Sequence, residues 1–185
     1  MSNAVLKGHA SGTGTVTLET PNTNSDRTIA LPDSNGTVMV SGANPTFSAY
    51  GSTTQSVSNG TWTKVVLNNK DFDTANCFDN VTNYRFQPTI AGYYQISACL
   101  NFAAATAFPN NCIVSIYKNN AQCRNASLYV TSGATSNNLS VSSVIIMNGT
   151  TDYIELFGYM GGATNGQFAN SQTGTFLSAS LIRAA

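Results

Sequence analysis

From residue 46 onward the chain alternates apolar and polar side chains in short runs separated by Asn, Gly and Ser. Successive side chains on a strand point to opposite faces, so this two-residue period predicts half-buried strands. The runs predict strands over 46–50, 61–67, 83–87, 92–102, 112–118, 122–130, 138–147, 151–159 and 174–183. Between them lie Ser58-Asn59-Gly60, Asn119-Asn120, Asn148-Gly149 and Gly161-Gly162, residue types that accept positive φ at low cost. No window carries the 3.6-residue apolar period of a helix about ten residues long. Many short strands bounded by turns predict a sandwich or barrel.

Two of these strands say more. Over 92–102, Tyr94, Ile96, Ala98, Leu100 and Phe102 share a face that reads as core. The opposite face, with Tyr93, Gln95, Ser97, Cys99 and Asn101, is mixed and mostly small, and suits a subunit contact. Over 138–147 both faces are apolar, Val144 and Ile146 on one and Leu139, Val141, Ile145 and Met147 on the other. A strand apolar on both faces is covered on both, here by a loop or by another subunit.

Residues 1–45 differ: they hold His9 but no Phe, Tyr or Trp. Thr15-Val16-Thr17-Leu18 reads as a short strand. The segments 28–31 and 37–40 flank Pro32-Asp33-Ser34-Asn35-Gly36 and read as a β-hairpin. So few apolar residues cannot make a core of their own, and the segment is expected to order on partner chains or an attachment site. The expected division is therefore an anchoring, trimerising leader at 1–45 and a β domain at 46–185.

Composition narrows the function. Asn, Thr, Ser and Gly supply 80 of 185 residues, and only 9% are charged, against roughly 25% in ordinary domains. Eight Lys and Arg, scattered and balanced by eight Asp and Glu, cannot neutralise a phosphate track, so nucleic-acid binding is not expected. No apolar run reaches the roughly 18 residues of a spanning helix, and the first residues lack the apolar stretch of a secretory signal.

Cys77, Cys99, Cys112 and Cys123 show no Cys-x-x-Cys pair and read as reduced structural thiols. If Asn119-Asn120 is a two-residue loop, Lys118 faces Ala121, Tyr117 faces Gln122, Cys123 faces Ile116 and Cys112 faces Ser127. Cys112 and Cys123 would then lie about 13 Å apart, at roughly 3.3 Å per residue, beyond the ~7 Å reach of a disulfide.

A resemblance enters at Phe86-Gln-Pro-Thr-Ile-Ala-Gly92-Tyr-Tyr94. Its spacing resembles the signature of the complement-type globular head, a relative of the tumour necrosis factor jelly roll. Flanking pieces follow in the same order: Phe47-Ser48-Ala49, Trp62-Thr-Lys-Val65, Phe72-Asp73, Ile116-Tyr-Lys118-Asn119-Asn120 and Phe176-Leu-Ser-Ala-Ser-Leu181. The resemblance departs at Ile96 and Ala98, where aromatic residues are usual, and at Ser178-Ala179, where a glycine is common. Residues 15–38 are similar to short segments of bacteriophage tail and fibre proteins that precede an exchangeable head. The resemblance implies an all-β, ten-strand-type jelly-roll sandwich that is trimeric, with a short hairpin-containing leader. It implies Phe86, Gly92 and Tyr94 as motif core. It also implies that the second face described above looks toward a trimer axis, with Tyr93, Gln95, Ser97, Leu139, Val141, Ile145 and Phe176 as contacts.

Candidate chemistry is sparse. No Gly-x-Ser-x-Gly, His-Glu-x-x-His or P-loop occurs, and His9 lies in the polar leader. Asp71, Asp73 and Asp79 form either a calcium loop or a solvated turn with Asx caps. Trp62 either stacks on a sugar or is buried. Tyr153, Phe157 and Tyr159 share a face with Glu155 and line either a receptor groove or an intersubunit layer. No catalytic residue, cofactor or metal is expected, nor an N-glycan at any of the Asn-x-Ser/Thr triplets.

The expected function is non-enzymatic. The chain is read as a homotrimeric phage fibre or tail-tip protein, made in the host cytoplasm and carried on the virion surface. Its head would be exposed to a host glycan or protein, and residues 1–45 would dock on another virion protein. The alternatives are a capsid decoration trimer (cement or head fibre) and, behind it, a glycan-cleaving enzyme.

Overall fold

The computed structural model of the protein describes residues 10–15, 17, 19, 22–26, 28, 44–107, 111–129 and 136–185. The chain divides into two units, Met1–Gly36 and Thr37–Ala185. In the first, Thr15 and Thr17 carry no strand; the rest of that expected strand, His9 and nearly all of the expected hairpin lie outside the described residues.

The second unit is a sandwich of two antiparallel sheets. In chain order the strands are β1 (Thr46–Tyr50), β2 (Gln55–Ser56), β3 (Thr63–Lys64), β4 (Asn69–Asp73), β5 (Phe78–Asp79), β6 (Arg85–Phe86) and β7 (Gly92–Ala107). They continue with β8 (Asn111–Lys118), β9 (Ala121–Tyr129), β10 (Ser136–Met147), β11 (Ile154–Gly161), β12 (Thr164–Phe168) and β13 (Phe176–Ala184). The first sheet is built on β7, a strand of 16 residues. One edge of β7 takes β10; the other takes β13 over its first half and β12 over its second. Beyond β13 lie β1 and β4, and beyond β12 lies β2. The second sheet runs β5-β6-β11-β8-β9, with β3 also on β11.

Strands β2, β4, β5 and β12 were not expected. The stretches 61–67 and 83–87 shrink to the two-residue strands β3 and β6, β7 runs on to Ala107, and β11 starts only at Ile154.

The core forms where the alternation placed it. Tyr94, Ile96, Ala98, Leu100 and Phe102 are all buried, in one apolar cluster with Val114, Ile116, Leu156 and Met160 of the other sheet. Phe86 explains why the resemblance motif exists. Its ring stacks on Phe47 at 4.6 Å and meets Tyr94 edge-on at 5.5 Å, and Phe47 continues the stack to Phe78 at 4.7 Å. Tyr94 keeps its hydroxyl satisfied by donating to the Ile90 carbonyl at 2.8 Å, and burial pushes that phenol up to about 12. Gly92 is required by space: a Cβ there would come within 2.5 Å of the Arg183 carbonyl oxygen and against the Leu181 side chain. The motif thus fixes a stack of rings and the close pairing of the start of β7 with the end of β13.

The hairpin β8–β9 turns at Asn119 and Asn120, both at positive φ (52° and 66°). Lys118 faces Ala121 and Tyr117 faces Gln122. Beyond that a bulge intervenes, so Ile116 faces Arg124 rather than Cys123, and Cys112 faces Leu128 rather than Ser127. All four cysteines are free, with Cys77, Cys99 and Cys112 buried, and burial pushes the Cys112 thiol up to about 12.

This hairpin is tied to the β10–β11 turn through the buried Asp152. Its carboxylate accepts from Lys118 Nζ at 2.8 Å, Asn119 Nδ2 at 2.7 Å and the Asn148 amide at 3.0 Å. Burial alone would raise its pKa, but these hydrogen bonds outweigh it and hold the carboxyl below its ordinary value. Asp152→Ala leaves the Asn119 side-chain amide and the Asn148 backbone amide without this acceptor and the Lys118 ammonium with the Ile146 carbonyl alone, and is expected to cost about 2–3 kcal/mol. Urea unfolding measures this, and a cost below about 1 kcal/mol would show that the network contributes little.

Candidate functional site

Two outward faces remain once the core is filled, and they differ in chemistry. Directly opposed residues on paired strands share a face, so the registers of β1, β13, β7 and β10 read as rows across the first sheet. One row is Ser48, Ser178, Ser97 and Ser142; the next is Thr46, Ser180, Gln95 and Val144. On the other side lies the row Tyr50, Phe176, Cys99 and Ser140. None of these residues is charged. The face ends at Tyr93, which lies opposite Ile146 and carries the Arg183 guanidinium at 4.9 Å.

Of the expected contact residues, Tyr93, Gln95, Ser97 and Phe176 lie on this face, half-buried in the single chain. Leu139, Val141 and Ile145 do not. Val141 and Ile145 are buried in the chain's own core and Leu139 packs against it. The reason is register: Ile145 sits opposite Tyr94, and Val141 opposite Ala98, so both inherit the inward side of β7. The side of β10 that stays open is Val144 and Ile146, 48% and 51% exposed. Ser48, Ser142 and Ser178 belong to the same face and were missed; isolated serines give no signal until the registers align them.

The second sheet shows a cluster of rings. Trp62 lies 5.3 Å from Tyr159 and 5.9 Å from Tyr117, and Tyr117 stacks on Phe157 at 4.1 Å. The loop before β3 is pinned to β11: Asn59 Oδ1 accepts from the Gly162 amide at 2.7 Å, and the Gly60 amide donates to the Met160 carbonyl at 2.8 Å. The Tyr159 ring lies against Gly161, where a Cβ would meet it at 3.1 Å. Beside the rings, Lys64 pairs with Glu155 and reaches the Asn83 carbonyl at 3.3 Å. The Glu155 side chain is 3% exposed against 35% for Lys64, and its Oε2 has no hydrogen-bond partner among the described residues. Arg85, opposite Glu155 in the ladder, stacks on Tyr153 at 4.5 Å. Tyr153, Glu155, Phe157 and Tyr159 therefore share a face as their spacing predicts. Trp62 is half-buried on that face, while Lys64, Arg85 and Tyr117 join it only through the topology.

The three loop carboxylates go to different tasks. Asp79 caps a turn, accepting from the Val81, Thr82 and Asn83 amides. The Thr82 and Val81 amides above all hold its carboxyl down at about 2. Asp73 accepts from the Cys77 and Phe78 amides and pairs with Lys70. Asp71 accepts from Ser48 and Gln172 side chains. Among the described residues no group of three or more His, Cys, Asp or Glu could hold a metal ion.

No protein-family profile and no curated protein sequence matches this chain. Its fold is similar to that of solved structures. Eiger TNF from S. frugiperda matches with a TM-score of 0.60 at 9% identity, over 77% of this chain and 94% of that one. The globular domain of zebrafish complement 1qA protein matches at 0.57 and 14% identity, over 77% and 99%. Murine APRIL at pH 5.0 matches at 0.56 and 14%, over 75% and 99%. The head is thus an all-β jelly roll of the tumour necrosis factor and complement type.

Proposed function

We propose that the protein is a homotrimeric, non-enzymatic binding head on a bacteriophage virion, a fibre or tail-tip protein that presents residues 46–185 to the host surface and docks on another virion protein through residues 1–45. The observation that carries the trimer is the outward face of β1, β13, β7 and β10. These three adjoining rows contain no charged residue and set rings and aliphatic side chains around a central row of small hydroxyls; the lack of charge and the partly exposed rings fit a subunit interface. Small central side chains let neighbouring sheets approach closely, and cyclic symmetry closes such a contact. The binding role follows from the other side of the sandwich, which stays open when the first sheet is at the centre. The carboxylates support a non-enzymatic role: Asp73, Asp79 and Asp152 are committed to backbone amides and Glu155 to Lys64. The virion assignment rests on the likeness of residues 15–38 to phage fibre segments.

Sedimentation equilibrium of the full chain at micromolar concentration tests the assembly: a mass of three chains is expected, and a mass of one chain would overturn it. Antibody labelling of intact particles tests the location, with label expected at tail fibres. Label confined to the capsid shell would replace this reading with a decoration protein.

A further inference from the structure

We infer that the outward face of β3, β11 and β8 is a carbohydrate-binding platform, in which Trp62 and Tyr159 take the apolar face of a pyranose ring and the Lys64–Glu155 pair takes its hydroxyl groups. This rests on the reading above only in that the trimer leaves the second sheet facing solvent.

The first argument is the rings. Many outer positions of this sandwich are Thr, Ser, Asn or Gln, and its first sheet sets its outward rings in different rows, Tyr50 and Phe176 in one and Tyr93 in another, whereas here four rings gather within 6 Å of one another in a chain of neighbouring pairs. They sit half-buried, so they offer a shallow surface and not a protruding apolar knob. A pyranose presents an array of C–H groups on one face, which an aromatic ring covers without asking for hydrogen bonds. Its rim of hydroxyls then needs polar partners at the edge of the rings.

The second argument is Glu155. It is nine-tenths buried or more, and its Oε2 lacks a donor. A buried carboxylate oxygen without a donor is costly and calls for a physical reason. A hydroxyl donor arriving from a ligand supplies what is missing. The neighbouring Lys64 ammonium has three donors and places two of them, on Glu155 Oε1 and the Asn83 carbonyl; the third can donate to a sugar oxygen. An adjacent acceptor and donor match two neighbouring hydroxyls on one ring. Lys64 is the outer, more exposed member on a flexible stem, so its displacement opens the carboxylate beneath. Arg85, across the ladder from Glu155, extends the row of donors. Lys64 and Arg85 against Glu155 leave one net positive charge, which accepts neutral or acidic sugars and disfavours a basic peptide.

Trp62 is the chain's single tryptophan, so its fluorescence reports this face alone. The full-length protein is titrated with maltotriose, galactotriose and N-acetylglucosamine trimer. Stacking does not depend on the orientation of every hydroxyl, so at least one of the three is expected to give a saturable emission change with Kd roughly in the millimolar range. Tyr159→Ala is expected to weaken it about tenfold or more through loss of a stacking face. Glu155→Gln, which keeps the shape and removes the charge, is expected to weaken it at least about fivefold. Val81→Ala, on an exposed turn, leaves it unchanged. No saturable change with any of the three sugars overturns the inference, and so does binding that both variants retain. Sedimentation of the same samples reads the trimer independently. A three-chain mass without sugar binding sinks the platform and leaves the assembly standing, whereas a one-chain mass with sugar binding does the reverse.

Discussion

Ser97→Arg is expected to convert the proposed trimer into a folded monomer. Ser97 lies in the row Ser48, Ser178, Ser97 and Ser142, and its neighbours on either side are small. An arginine there would place a guanidinium in each of three copies close to the shared axis of the proposed trimer, while the carboxylate at the end of its row, Asp71, lies beyond Ser48 and is already held by Ser48 and Gln172. Burying an unpaired charge costs several kcal/mol per ion even after relaxation, and three like charges repel one another. In the isolated chain the same side chain extends into water and leaves the core untouched. Sedimentation should therefore fall from three chains to one while far-UV circular dichroism stays that of a β protein. Val81→Arg, at a position 74% exposed, should keep the mass of three. A Ser97→Arg protein that still sediments as a trimer would mean that another surface holds the copies together.

Phe86→Ala is expected to cause the largest loss of stability among single truncations. The ring is fully buried, stacks on Phe47 and abuts Tyr94, so its removal deletes two ring contacts and opens a cavity between the sheets. Large-to-small changes of this kind cost roughly 3–5 kcal/mol, because close-packed surroundings collapse only partly. Since β6 has two residues and carries Phe86 as its buried member, its attachment to β5 and β11 should weaken as well. Denaturant unfolding at a single protein concentration measures the loss. Val81→Ala supplies the contrast: that side chain is 74% exposed, and a loss of about 0.5 kcal/mol or less is expected. A Phe86→Ala cost no greater than that of Val81→Ala would contradict the role given to the ring stack.

Which parts of this were legible in the sequence follows from how each strand is buried. Strand β7 has one face in the core, so its alternation is nearly strict and its inward residues could be named. The Asn119-Asn120 turn was legible because both residues tolerate positive φ. Strand β4 was not: Asn-Lys-Asp-Phe-Asp reads as a loop, and it becomes a strand only because β1 offers it a hydrogen-bonding edge. Strand β12 begins Thr-Asn-Gly, a turn signal that the second half of β7 overrides. Strand β10 shows the deeper difficulty. With apolar residues on both faces its period does not say which side is inward. That choice is made by its register against β7, a long-range fact, and it turned Val141 and Ile145 into core and Val144 and Ile146 into surface. The bulge between Ile116 and Tyr117 was likewise invisible, because one extra residue in β9 leaves the local pattern almost unchanged. Of the aromatic platform, the set on β11 was legible as one face, while Lys64, Arg85 and Tyr117 come from strands whose adjacency only the folded sheet defines.

The two ends of the head domain lie side by side. Thr46 is opposite Ser180, the Leu181 amide donates to the Pro45 carbonyl, and the Ala185 amide to the Ala91 carbonyl. The chain therefore enters and finishes the sandwich at one pole. The connections following Tyr50 and Gly161 leave from the opposite pole, since β1 and β11 both run away from the entry point. A change of sequence or length in those connections meets neither the Phe47–Phe86–Tyr94 stack nor the place where the preceding segment joins. In the proposed role, attachment falls to the first pole, and changes of sequence or length are best tolerated at the second.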